Sequence, residues 1–116
     1  MAHAPDILRF WRAALIESVR SDAPDLTQRQ MAILLIVYTT DPPHTVRGLA
    51  RELGVAKPVI TRALDSLGRL GYLKRKRDES DRRSVLVQRT VAGSVYLSEF
   101  SGQIEKLAGA PANQDY

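Results

Sequence analysis

Thr45-Val46-Arg47-Gly48-Leu49-Ala50-Arg51-Glu52-Leu53-Gly54-Val55-Ala56-Lys57-Pro58-Val59-Ile60-Thr61-Arg62-Ala63-Leu64-Asp65-Ser66-Leu67 is the stretch on which the fold turns. Thr45 stands where it caps a short helix running to Leu53, with Leu49, Ala50 and Leu53 on the inner face. Gly54 follows where the chain must turn left-handed to stop that helix. Pro58 suits the first turn of a second helix, in which Val59, Ile60, Ala63, Leu64 and Leu67 form one apolar stripe continuing to Leu70 before Gly71 closes the segment. Two short helices separated by a Gly54-Val55-Ala56 turn make a helix-turn-helix over 45–70.

Downstream of Gly71 the period changes. Residues 72–77 and 84–90 are β-compatible, the second run alternating Val85, Val87 and Arg89 against Ser84, Leu86 and Gln88. The polar Asp78-Glu79-Ser80-Asp81 lies between them, so 72–90 predicts a hairpin with a charged tip, a wing. Thr90 caps a final helix over 91–107, with Val91, Val95, Leu97, Ile104 and Leu107 inward and Gly93 and Gly102 each weakening it by ~1 kcal/mol relative to Ala. From Ala108 onward the chain is expected to be loose.

Upstream, Thr27-Gln28-Arg29-Gln30 fits a capping box that opens onto the apolar run 31–38, a helix for the middle of the core. Its β-branched residues Ile33, Ile36 and Val37, with Thr39 and Thr40 after them, leave a buried strand as the alternative. Asp41-Pro42-Pro43-His44 reads as a turn. Residues 5–20 carry Ile7, Leu8, Trp11, Ala14, Leu15 and Val19 at spacings of three and four, an amphipathic helix with Pro5 in its first turn. The expected fold class is mainly α with a small β-hairpin: a winged helix-turn-helix of about five helices plus a two- or three-stranded wing sheet. At 116 residues the chain has room for one core, read here as a single winged-helix domain over 1–116.

Composition narrows the function. With 44% hydrophobic and 26% charged residues the chain is apolar enough to fold. No cysteine is present, which excludes disulfides, thiolate zinc sites, catalytic thiols and thiol oxidation as a trigger. The apolar run 31–38 is far below the ~20 residues of a membrane span, and Asp6 and Arg9 sit where a signal peptide needs apolar residues. The expected address is the cytoplasm, with no membrane partner. Net charge is +4, but residues 45–89 hold twelve Lys and Arg against five Asp and Glu, so the middle of the chain carries all the surplus and the flanks are acidic. That distribution suits a polyanion-binding face, the alternative being a solvated charged surface.

Catalysis finds no support. No nucleophile-base-acid arrangement and no Gly-rich phosphate loop occurs, and His3 and His44 lack a second histidine or a glutamate at ligand spacing. Asp78, Glu79 and Asp81 are better explained as a wing tip than as a general acid/base pair. No enzyme, catalytic residue, metal site or cofactor is expected.

The candidate site follows from the helical period. With Ile60, Ala63, Leu64 and Leu67 inward, Lys57, Pro58, Thr61, Arg62 and Asp65 face outward. Arg62 is the candidate base reader, since a guanidinium pairs bidentately with guanine; Lys57 and Thr61 are candidates for phosphate. Asp65 repels phosphate, so it orients an arginine or accepts from a cytosine amine, unless it simply pairs with Arg62 within the helix. Strand alternation puts Arg75 and Arg77 on one face and Lys74 and Lys76 on the other. Arg82 and Arg83, read as adjacent strand residues, leave from opposite faces, so at most one points squarely at DNA.

The chain resembles the MarR family of bacterial transcriptional regulators. The resemblance rests on Leu26-Thr27-x-x-Gln30, Leu49-Ala50-x-x-Leu53-Gly54-Val55, Lys57-Pro58 with Thr61-Arg62-x-Leu64-x-x-Leu67, Leu70-Gly71-Tyr72-Leu73-x-Arg75, and Asp81-Arg82-Arg83 ahead of Thr90-x-x-Gly93. It covers about 26–97 in the right order. The resemblance implies a homodimer bound to double-stranded DNA, with the second helix of the motif in the major groove and the wing along the backbone. It also implies that Arg83 is the wing residue near the minor groove and that Asp81 braces it.

Three departures stand out. Ala56 occupies the place of the usual Ser or Thr cap, and Arg89 that of an apolar residue before the Thr. The chain reaches its last residue soon after one C-terminal helix, where family members usually add a further long helix that builds the dimer. Leu8, Trp11 and Leu15, with Phe100 and Ile104, are the candidate dimerisation residues; the alternative is that they finish the monomer core. A small-molecule effector is compatible with the resemblance, and Arg9, Trp11, Arg12 and Tyr38 are candidates to line its groove, but the sequence does not show the pocket. The competing functional reading is a winged-helix protein-interaction adaptor without specific DNA binding.

Overall fold

A computed structural model of the chain describes residues 3–108, with side chains over 6–106. The side chains of His3, Pro5 and Leu107 and the segment 109–116 lie outside the described residues. The element order is α1 (His3–Arg20), α2 (Gln28–Thr39), β1 (His44–Thr45), α3 (Val46–Leu53), α4 (Lys57–Arg69), β2 (Leu73–Arg77), β3 (Val85–Arg89) and α5 (Val91–Ala108). Chain contacts divide it into two units, Leu26–Tyr96 on one hand and the first 25 residues with those from Leu97 onward on the other. The helix-turn-helix and the wing belong to the first.

Within Leu26–Tyr96 the three helices that the apolar pattern predicts are present. The run 31–38 is a helix, not a strand. Thr27 Oγ1 accepts from the Gln30 amide at 3.1 Å, and the Gln30 side chain accepts from the Thr27 amide at 2.9 Å, a complete capping box. At its far end Arg89, the residue that departs from the family pattern, donates from Nε to the Val37 carbonyl at 2.8 Å and from Nη2 to that of Thr40 at 2.9 Å. Its cation thus sits at the negative end of α2 and ties β3 to carbonyls that a helix terminus leaves unpartnered. Ile33, Leu34 and Val37 of α2, Leu49 of α3, and Ile60, Leu64 and Leu67 of α4 form the buried centre of this unit.

Thr45 caps α3 by accepting from the Gly48 amide at 2.9 Å. Gly54 takes φ 68° and ψ 35°, the left-handed geometry that ends α3 and aims the chain into α4. Ile60, Ala63, Leu64 and Leu67 are buried, but the stripe stops there: Leu70, expected to continue it, is the exposed C-cap residue of α4, just before the left-handed Gly71.

The wing is a three-stranded antiparallel sheet in the order β1-β3-β2. β1 was not visible as a strand in the sequence, being two residues long; His44 pairs with Val87 and Thr45 with Leu86. β2 pairs with β3 from Leu73 opposite Arg89 to Arg77 opposite Val85. Arg82 and Arg83 lie in the turn before Val85, not on the strand, so their directions follow from the turn and not from the pleat.

The inward face of α5 corrects the expected stripe. Val91 is 82% exposed and Val95 51%, whereas Gly93 and Tyr96 are buried. Polar contacts at the helix start set this phase. Thr90 Oγ1 donates to the Gly71 carbonyl at 2.6 Å and accepts from the Gly93 amide at 2.9 Å. The Tyr38 hydroxyl donates to the Tyr72 carbonyl at 2.7 Å and accepts from the Thr90 amide at 2.9 Å. Tyr72 and Tyr96 then stack with ring centroids 4.6 Å apart. In the other unit, α1 buries Ala14, while Ile7, Leu8, Trp11, Leu15, Ile16 and Val19 are exposed. Among the described residues no helix is long and apolar enough to cross a membrane.

Candidate nucleic-acid interface

The outward face of α4 is built by what its inward face buries. Lys57, Pro58, Thr61 and Arg62 are exposed and Asp65 is half-buried, as the helical period predicts. Ala56 precedes α4 without a side-chain capping bond, so the first turn keeps amide donors that no hydroxyl satisfies. Ala56→Ser is expected to stabilise the fold by about 1 kcal/mol, raising the unfolding midpoint in a thermal melt by a few degrees. An unchanged midpoint would mean that water already satisfies that turn.

Arg62 has no hydrogen bond or ion pair among the described residues, and its intrahelical pairing with Asp65 does not occur. Asp65 instead receives Arg75 from β2, Nη2 to Oδ1 at 2.6 Å. This bond joins the helix to the hairpin and places both on one side of the unit. Leu73, two residues before Arg75, is buried, and Val87, directly opposite Arg75, is buried too. The pleat therefore directs Arg75 toward α4, and Lys74 and Lys76 to the other face.

The wing loop is self-braced. Arg77 Nη1 donates to the Arg82 carbonyl at 3.0 Å, the Asp78 amide to the Ser84 carbonyl at 3.0 Å, and the Ser84 amide to the Asp81 carbonyl at 2.9 Å. Asp78 Oδ1 accepts from the Ser80 hydroxyl at 2.7 Å and the Ser80 amide at 3.0 Å, and these bonds, the hydroxyl foremost, hold its carboxyl below the usual carboxylate range. Asp81 Oδ1 accepts from the Arg83 amide at 3.2 Å, with the Arg83 Nε 3.9 Å away. The acid thus holds the Arg83 backbone more closely than its guanidinium, which is 92% exposed. Arg82 offers its carbonyl to Arg77, and its side chain is exposed.

Of the other sequence candidates, Leu8, Trp11 and Leu15 are exposed on α1, and Phe100 and Ile104 are half-buried on α5. Tyr38, a candidate for an effector groove, spends its hydroxyl on Tyr72 and Thr90. Sequence reasoning missed the packing roles of two positions behind the site, Gly93, set against Tyr38 and the Tyr72 main chain, and Arg89, bonded to the end of α2. The Thr90-x-x-Gly93 spacing was the only signal for the first, and the departure from an apolar residue the only one for the second.

A capped helix, a tight left-handed turn, a second helix with a cationic outer face and a basic hairpin bonded to it define a winged helix-turn-helix protein. The sequence model of the MarR family matches residues 26–85. The transcriptional regulator Tm0710 from Thermotoga maritima is 30% identical over 72% of this chain and 58% of its own, with a TM-score of 0.65. MarR is 28% identical over 72% of this chain and 60% of its own, with a TM-score of 0.61. The S. aureus MepR-DNA complex shares the fold, at 18% identity over 93% and 83% of the two chains and a TM-score of 0.71. The chain belongs to the MarR family of winged helix-turn-helix transcriptional regulators. It spans about three fifths of the length of Tm0710 and of MarR.

Proposed function

We infer that the chain is a sequence-specific, double-stranded-DNA-binding transcriptional regulator that works as a homodimer. The observation that carries this reading is the exposed Arg62, free of partners among the described residues on the outer face of α4, on the same side as a hairpin that carries Arg82 and Arg83 on a braced loop. In this reading α4 lies in the major groove, Arg62 reads a base edge, and Lys57 and Thr61 hold phosphates near the uncapped start of the helix. The wing runs along the backbone, with Arg83 near the minor groove and Asp81 limiting the freedom of its main chain. S. aureus MepR, a protein of the same fold, forms a complex with DNA, which supports DNA binding in this reading.

The exposed apolar side chains of α1 support self-association, because Leu8 at 65% exposure and Trp11 at 48% are costly to leave in water. A homodimer calls for a pseudo-palindromic site with half-sites about one helical turn apart.

Selection of bound duplexes from a random library, with the mass of the complex measured on the same sample, tests site, symmetry and stoichiometry together. The expected result is an inverted repeat bound by two chains, with affinity falling steeply as salt rises. Lys76→Ala is expected to weaken all duplexes alike. Absence of retention on any duplex at low salt would replace this reading with that of a protein-interaction adaptor.

A further inference from the structure

We propose that Arg75 is a positioning residue whose task is to keep Asp65 away from Arg62, so that the base reader stays free. The inference rests on the DNA-binding reading above and assigns Arg75 a role other than phosphate contact. Arg62 and Asp65 are three residues apart on α4, a spacing at which an acid and a base meet on a helix surface. Left to themselves, the two would pair, and the reader's cation would be quenched by a carboxylate on its own face. The tertiary structure supplies a competing cation. Arg75 closes on Asp65 at 2.6 Å from a strand whose register is fixed by buried Leu73 and by Val87 opposite it. A pair between exposed side chains at this spacing on one helix is weak, whereas Arg75 is partly shielded from solvent where it closes on Asp65. Among the described residues Arg62 is consequently without a partner while Asp65 has one.

The same bond removes a second obstacle. A bare carboxylate beside Thr61 and Arg62 would face phosphates with like charge, and the guanidinium of Arg75 neutralises it. Arg75 also joins the hairpin to α4, so the wing and the reading helix approach a duplex as one body. Arg75 and Asp65 side chains are 37% and 46% exposed, so the effect lies in arrangement more than in fold stability.

The test compares the duplex selected by the unsubstituted protein with a scrambled duplex, for the unsubstituted protein, Arg75→Ala, Asp65→Asn and the double variant. Circular dichroism melts on the same samples report folding. Arg75→Ala is expected to reduce the preference for the selected duplex about twofold, the size of an exposed acid–base pair on one helix that the base must displace. The double variant is expected to recover that preference in full, because no carboxylate remains to capture Arg62. Two results overturn the proposal: equal weakening on both duplexes, the mark of a phosphate contact, or a double variant no more selective than Arg75→Ala. An unsubstituted protein that prefers no duplex overturns the DNA-binding reading itself and this inference with it.

Discussion

Gly93→Ala is expected to destabilise the fold by about 3 kcal/mol, against the usual gain of about 1 kcal/mol when alanine replaces glycine in a helix. A Cβ at this position overlaps the Tyr38 hydroxyl and the Tyr72 carbonyl oxygen. The Tyr72 carbonyl is main chain and has no rotamer to escape into. The Tyr38 hydroxyl is held from both sides, as donor to Tyr72 and acceptor from the Thr90 amide, so displacing it breaks two bonds at once. The helix start would have to move away from α2 and the hairpin, unstacking Tyr96 from Tyr72. In a thermal melt the midpoint should fall by more than about 10 °C for a loss of this size. Tyr38→Phe in the Gly93→Ala background should recover only part of the loss, since the carbonyl overlap remains. A midpoint within a degree or two of the unsubstituted protein would show that α5 packs less closely than the hydrogen bonds require.

Arg62→Ala is expected to cost about 1–3 kcal/mol, roughly five- to 150-fold, on the duplex the protein selects. On a scrambled duplex the change should be small, because Arg62 contributes there only as one charge among many. Binding isotherms for both duplexes at one fixed salt concentration separate the two effects, and salt must be fixed because the phosphate-dependent part of affinity changes steeply with it. Circular dichroism should be unaltered, the side chain being exposed and unbonded. If both duplexes weaken alike, Arg62 holds a phosphate and the base reader lies elsewhere on α4.

Much of the architecture was readable because its signals are local. Thr27 with Gln30, Thr45 before α3 and Gly54 after it act within one turn of themselves, and the stripe from Ile60 to Leu67 is a single helix face. Where the reading failed, distance was the cause. Val91 and Val95 are apolar and at helical spacing, yet α5 turns Gly93 and Tyr96 inward because Tyr38, 55 residues before Gly93 by numbering, fills the space against it. Arg89 looked like an exception to a pattern. Its purpose becomes visible only once β3 lies beside the end of α2. Arg82 and Arg83 were assigned to a strand by the run that follows them, although the bonds of Asp78 and Ser84 close the turn around them.

The candidate site divides along the same line. Which residues of α4 face outward, and that the middle of the chain carries the positive surplus, the sequence by itself determined, since helical periodicity and charge need only nearest neighbours. Which acid pairs with which base only the tertiary structure decided. Asp65 had a partner within reach on its own helix and took Arg75 from the hairpin, because sheet register brings that arginine over the acid in a partly shielded place while Arg62 is exposed to water. Ion pairing is a competition among all groups that folding brings together, and no local pattern contains the distant competitor.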